Sequence, residues 1–164
     1  MTRARQRIRP GQLVVLYDGI CGLCAQLHQT IAAIDVLGRV GWLPLQTPGL
    51  LPLVGIGEDD AVETVWAITG DGRRIKGGET IAHVLDSLVP APLPLFARLR
   101  QLEAARRVLG PMFKAVSDKR RELWACPADA GRRKFEPLHP REEAELRARL
   151  RLPVEDDGWL QAAH

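Results

Sequence analysis

Long apolar runs, cysteines and charge of one sign are all in short supply in this chain. The longest apolar stretch, residues 50–56, is broken by Pro52 and Gly55, well below the roughly 20 residues of a membrane helix, so no membrane partner is expected. Three cysteines are too few for a disulfide scaffold. Net charge is only +3, and its basic residues gather at Arg3, Arg5, Arg7 and Arg9 and at Arg132-Arg133-Lys134 with few aromatics beside them. Such runs read as solvated surface, and no nucleic-acid partner is expected. The basic segment 1–10 has the charge of a secretory leader, but the apolar stretch after it, residues 13–16, is too short for the hydrophobic region of one. The expected location is therefore cytoplasmic. Neither an internal repeat nor a low-complexity tract is visible.

What remains is an ordinary globular composition. Nearly half the residues are apolar (46%) and about a quarter charged (26%), which suits one folded unit with a sizeable core. Leu13-Val-Val-Leu-Tyr17 is apolar and partly β-branched and reads as a buried strand ending at the turn signal Asp18-Gly19. Cys24, Leu27, Ile31 and Ile34 then recur at helical steps, giving a helix over about 21–37 that Gly38 can close. Residues 40–45 read as a second strand, short or near an edge because of Pro44. Residues 48–57 have room for one or two helical turns around Pro52.

Residues 61–69 alternate as a strand should, and Gly70-Asp71-Gly72 supplies a hairpin turn before residues 73–76. A helix over 80–88, with Ile81, Val84, Leu85 and Leu88 as its stripe, stops at Pro90. The predicted order is β-α-β-(α)-β-β-α, an α/β domain. Two further helices are expected at 95–109 and 112–124, on either side of Gly110-Pro111. Segment 11–126 thus reads as the domain with its helical extension. Segment 127–164 reads as a polar extension with an exposed helix near 140–150 and a loose terminus from 155.

The chemistry concentrates at Cys21-Gly22-Leu23-Cys24, between the buried strand and the amphipathic helix. This placement sets Cys21 at the helix N-terminus, where unpaired N–H groups and the helix dipole favour a thiolate over the ordinary thiol pKa of about 8.5. Cys24, one turn further in, is expected to be the more buried and protonated of the two. Cys21 is then the nucleophile on a substrate disulfide, and Cys24 resolves the mixed disulfide. Gly22 permits close approach of a substrate backbone, and Leu23 offers an apolar contact.

Metal binding is the competing reading, since Cys21, Cys24 and His28 run C-x2-C-x3-H and need one more ligand, which Cys126 or a distant histidine can supply. A non-catalytic scaffold is the third. Away from these readings, His28 is an ordinary partly exposed helical residue and Cys126 a structural or incidental thiol. Asp18, three residues before Cys21, either caps the turn or handles protons for the pair.

The stretch Leu16-Tyr17-Asp18-Gly19-Ile20-Cys21-Gly22-Leu23-Cys24 resembles the signature of the DCC family of thiol-disulfide oxidoreductases, named for its D-x-x-C-x-x-C pattern. The likeness extends through Trp42-Leu43-Pro44-Leu45-Gln46, the 64–76 hairpin and the helix at 79–88, and more weakly to about Cys126. The resemblance implies a thioredoxin-like fold, with Cys21 and Cys24 as the redox pair and Asp18 in support. It also implies thiol-disulfide exchange with a disulfide-containing protein or small-thiol partner, an electron donor, and no cofactor. Departures exist. Where thioredoxins proper place a cis-proline before the third strand, this chain has Glu58-Asp59-Asp60-Ala61, its dipeptide is Gly-Leu rather than Gly-Pro, and Phe113 and Lys119-Arg120 replace a Tyr and an Asn-Arg pair.

Overall fold

The structure is a computed structural model in which residues 8–88 and 134–152 are described. The expected helices at 95–109 and 112–124, Cys126 and the terminus from 155 lie outside them. Strand β1 (Leu13–Tyr17) is central, pairing in parallel with β2 (Val40–Pro44) and antiparallel with β3 (Trp66–Ile68). β3 pairs antiparallel with β4 (Arg74–Lys76), so the order is β2-β1-β3-β4. Pro44 lies on an outer strand, where its missing N–H breaks no inner ladder. This mixed α/β arrangement is compatible with the thioredoxin-like fold.

Helix α1 (Gly22–Ile34) connects the two parallel strands. It ends three residues before the predicted position because Asp35 draws the chain aside, its carboxylate accepting from the N–H groups of Arg39 (3.0 Å) and Val40 (2.8 Å). Gly38, at φ +60°, completes that turn. The ambiguous stretch forms α2 (Leu50–Val54), which buries Leu50 and Val54.

Residues 61–69 are not one strand. Helix α3 (Glu58–Glu63) takes the first part, because Glu58, Asp59 and Asp60 crowd its first turn, where carboxylates complement the helix dipole. β3 begins only at Trp66, and the two residues before it are Thr64 and Val65, so a proline is missing there as well. In the following turn, the Thr69 hydroxyl donates to Asp71. That bond, aided by Arg73, holds the Asp71 carboxyl below its ordinary value of 3.8 despite a small desolvation cost.

Alternation along β1 sends side chains to two cores. On one face Val14 and Leu16 pack with Leu43, Ile68, α2 and Ala61 of α3. On the other, Leu13 and Val15 pack with Trp42, Ala67 and Ile75 and with Ile31 of α1. Helix α4 (Gly78–Leu88) joins that second core through Val84 and Leu88, leaving Ile81 and Leu85 of its predicted stripe exposed.

Helix α5 (Pro140–Leu150) corrects the expectation of an exposed C-terminal helix. Leu146 is wholly buried in the first core, and Glu142 and Arg149 are buried with it. The Glu142 carboxylate accepts from the N–H of Ile8 (3.3 Å) and of His139 (3.1 Å). Arg149 donates to the carbonyls of Gln12 (2.6 Å) and Arg9 (2.8 Å) and to Glu145 (2.8 Å). A sequence as polar as Pro140-Arg-Glu-Glu-Ala-Glu-Leu looks solvent-facing because its buried polar groups find partners only across the fold.

Candidate functional site

The chain leaves β1 at Tyr17 and folds into a tight loop before α1. Asp18 builds that loop: its Oδ1 accepts from the Ile20 N–H (3.1 Å), an Asx turn, and its carbonyl accepts from the Cys21 N–H (3.2 Å). Gln46, just past β2, braces it from the side. The Gln46 amide donates to Asp18 Oδ1 (2.8 Å), and its Oε1 accepts from the Gly19 N–H (3.0 Å). One end of Asp18 is therefore committed to the turn.

Gly19 is required by close approach. A Cβ there would lie 2.6 Å from the ring of Phe135 and 3.0 Å from Gln46 Oε1. Phe135, from the segment leading to α5, thus lies on the loop two residues before Cys21, a contact that no local pattern in the sequence announces.

Cys21 is the N-cap of α1 with extended backbone (φ −80°, ψ 122°), and its carbonyl accepts the first helical bond, from Ala25 N–H (3.0 Å). Cys24 lies three residues on, one turn away on the same helix side, which brings Cβ atoms to about 5–6 Å. The two are thiols rather than a disulfide. Their burial reverses the expected order: Cys21 is 6% exposed, and Cys24 is half-buried. Helical periodicity predicts depth from a residue's face of its own helix, whereas the N-cap residue still belongs to a loop that lies against the fold.

His28 is partly exposed on α1, as expected, but its ring also has contacts beyond its own helix. Its ring lies tilted against Tyr17 at the end of β1 (centroids 4.8 Å apart) and against Trp42 of β2 (4.9 Å), and Tyr17 and Trp42 meet edge to face at 6.0 Å. The i, i+4 step sets His28 on the Cys24 side of α1, but no local pattern announces its contacts with two separate strands. Trp42 is buried, and its indole N–H has no acceptor among the described residues.

Among the described residues, no three His, Cys, Asp or Glu side chains are grouped as a metal site requires. A metal reading would therefore need a ligand such as Cys126 from outside them. No helix among the described residues is long and apolar enough to cross a membrane.

The arrangement is two thiols on the first turn of a helix, behind a braced loop at the C-terminal end of a central strand. A family model described as DCC1-like thiol-disulfide oxidoreductase matches residues 15–126, which span this loop, the sheet and α4. No curated protein and no solved structure matches the chain.

Proposed function

The chain belongs to the DCC1-like thiol-disulfide oxidoreductase family, and from that premise we propose that it exchanges thiols and disulfides through Cys21 and Cys24, Cys21 being the nucleophile. The observation that carries this reading is the position of Cys21 at the N-cap of α1 with Cys24 one turn inside. That position is the positive end of the helix dipole, which complements negative charge on a nucleophile during attack.

The Cys21 thiolate attacks a sulfur of the substrate disulfide, forming a mixed disulfide and expelling one substrate thiolate, which takes a proton from solvent. The Cys24 sulfur, once deprotonated, attacks Cys21 Sγ. The bond between Cys21 and the substrate breaks, and the second thiolate leaves. Two electrons pass from the dithiol to the substrate, and a thiol donor returns them. No cofactor takes part. Asp18 supports the pair by shaping the loop through Ile20 and Gln46. Cys21 is only 6% exposed, which favours small or extended disulfides over rigid surfaces. The reading places this chemistry in the cytoplasm, where a dithiol pair is kept reduced.

Iodoacetamide labelling of the reduced protein against pH, with the modified residue located by mass spectrometry, tests the reading. Cys21 should label first, ahead of Cys24. That reactivity should vanish in Cys21→Ser. First labelling at Cys24, or uniformly inert thiols, would overturn the assignment.

A further inference from the structure

The turn that delivers Cys21 has four residues, since the Asp18 carbonyl accepts from the Cys21 N–H at 3.2 Å, and Gly19 and Ile20 are its central pair. Asp18 Oδ1 ties down the Ile20 N–H, and Gln46 ties down the Gly19 N–H. Those restraints come from residues inside the matched span 15–126. A further one comes from outside it. The Phe135 ring occupies the space where a side chain of Gly19 would begin, with Cε1 2.6 Å and Cζ 3.0 Å from the position of a Cβ. Gly19 is two residues from Cys21, a Cα separation of no more than about 7 Å.

Phe135 reaches this turn on a stiff tether. Residues 134–139 form neither helix nor strand. Pro137 and Pro140 bias the residues before them toward extended backbone, as observed at His139 (φ −68°, ψ 141°). Lys134, Glu136 and Pro137 are exposed along the tether, whereas Phe135 and Leu138 are half-buried. Leu138 packs against the first core, and α5 directly after it is pinned by Leu146 and by the hydrogen bonds of Glu142 and Arg149 to the chain before β1. One end of the tether is thus fixed to the body of the fold, and its prolines leave it little conformational freedom to lose when Phe135 settles on Gly19.

Resting on the reading of Cys21 as the nucleophile, we propose that Phe135 is a positioning residue that holds the Asp18–Cys21 turn against the fold and so limits the access of disulfides to Cys21. Gln46 Oε1 meets the same Cβ position at 3.0 Å, so a polar group from the end of β2 and an apolar ring from the C-terminal segment converge on one glycine. Gln46 satisfies the N–H of the turn. Phe135 adds van der Waals contact that is lost when the turn moves outward. The reactivity of a cysteine inside the matched span is therefore set in part by a residue beyond it.

The test is the initial rate of iodoacetamide labelling of the reduced full-length protein at one pH near neutrality, with each cysteine read separately by mass spectrometry. Phe135→Ala should raise the Cys21 rate by about fivefold or more, because local opening of the turn no longer breaks that contact, and leave Cys24, whose place is set by α1, within about twofold of the parent. Phe135→Leu, which keeps apolar bulk against Gly19, should bring the Cys21 rate back to within about twofold of the parent. An unchanged Cys21 rate in Phe135→Ala would overturn the proposal. So would a parallel rise at both cysteines, the mark of general destabilisation rather than of a released turn. Failure of the nucleophile reading looks different: Cys24 would outpace Cys21 in the parent protein, while the change in the Cys21 rate on removing Phe135 would still be measured.

Discussion

Gln46 shows how one uncharged side chain can hold a reactive loop. Its two hydrogen bonds, to Gly19 N–H and Asp18 Oδ1, cross from the end of β2 to the end of β1. Replacing it with alanine removes both and leaves an amide N–H and a carboxylate oxygen to find water. Gln46→Ala should lower unfolding free energy by about 1–2 kcal/mol in urea titration and speed iodoacetamide labelling of Cys21, because the loop would open more readily. An unchanged labelling rate would mean that Asp18 and the helix hold the loop alone. At this scale the cysteines and Asp18 were readable, since the turn and the first helical bond are contacts within a few residues. The role of Gln46 was visible only as part of the family likeness at residues 42–46. The ring contacts of His28 were not readable, because Tyr17 and Trp42 reach it from separate strands.

Elements were legible wherever their pattern is local and failed where a tertiary partner decided. Periodicity gave β1, α1 and the hairpin at Gly70-Asp71-Gly72, but it merged α3 with β3 because Ala61-Val-Glu-Thr-Val alternates like a strand while an acidic first turn makes it helical. The hairpin turn carries a second constraint from α5. Gly72 has φ +83°, and a Cβ on it would lie 2.0 Å from the Arg149 carbonyl oxygen. Gly72→Ala combines left-handed strain with a backbone collision, so thermal or chemical unfolding should show a loss of about 2–4 kcal/mol. A loss below about 1 kcal/mol would mean that α5 can shift away freely.

The whole molecule is closed by α5 acting on the chain before β1. The Arg149 guanidinium bonds two carbonyls, of Gln12 and Arg9, from the far end of the sequence, while Leu146 fills the first core and Glu142 receives Ile8 N–H. Arg149→Ala leaves those carbonyls and Glu145 without their donor and should cost about 3 kcal/mol in unfolding free energy. Arg149→Lys should recover less than half of it, since a single ammonium cannot span three acceptors. Equal stability of all three proteins in urea would show α5 to be dispensable to the fold. The sequence by itself determined the order of the main elements and set the cysteine pair at a strand-to-helix turn, because these follow from side-chain periodicity and turn chemistry over a few residues. Only the tertiary structure decided that Cys21 is the more buried thiol, that His28 meets the rings of Tyr17 and Trp42, that Phe135 lies on Gly19 and that a polar helix is part of the core. Each of those depends on groups far apart in the chain, whose desolvation and hydrogen bonding are fixed only when the sheet has brought them together.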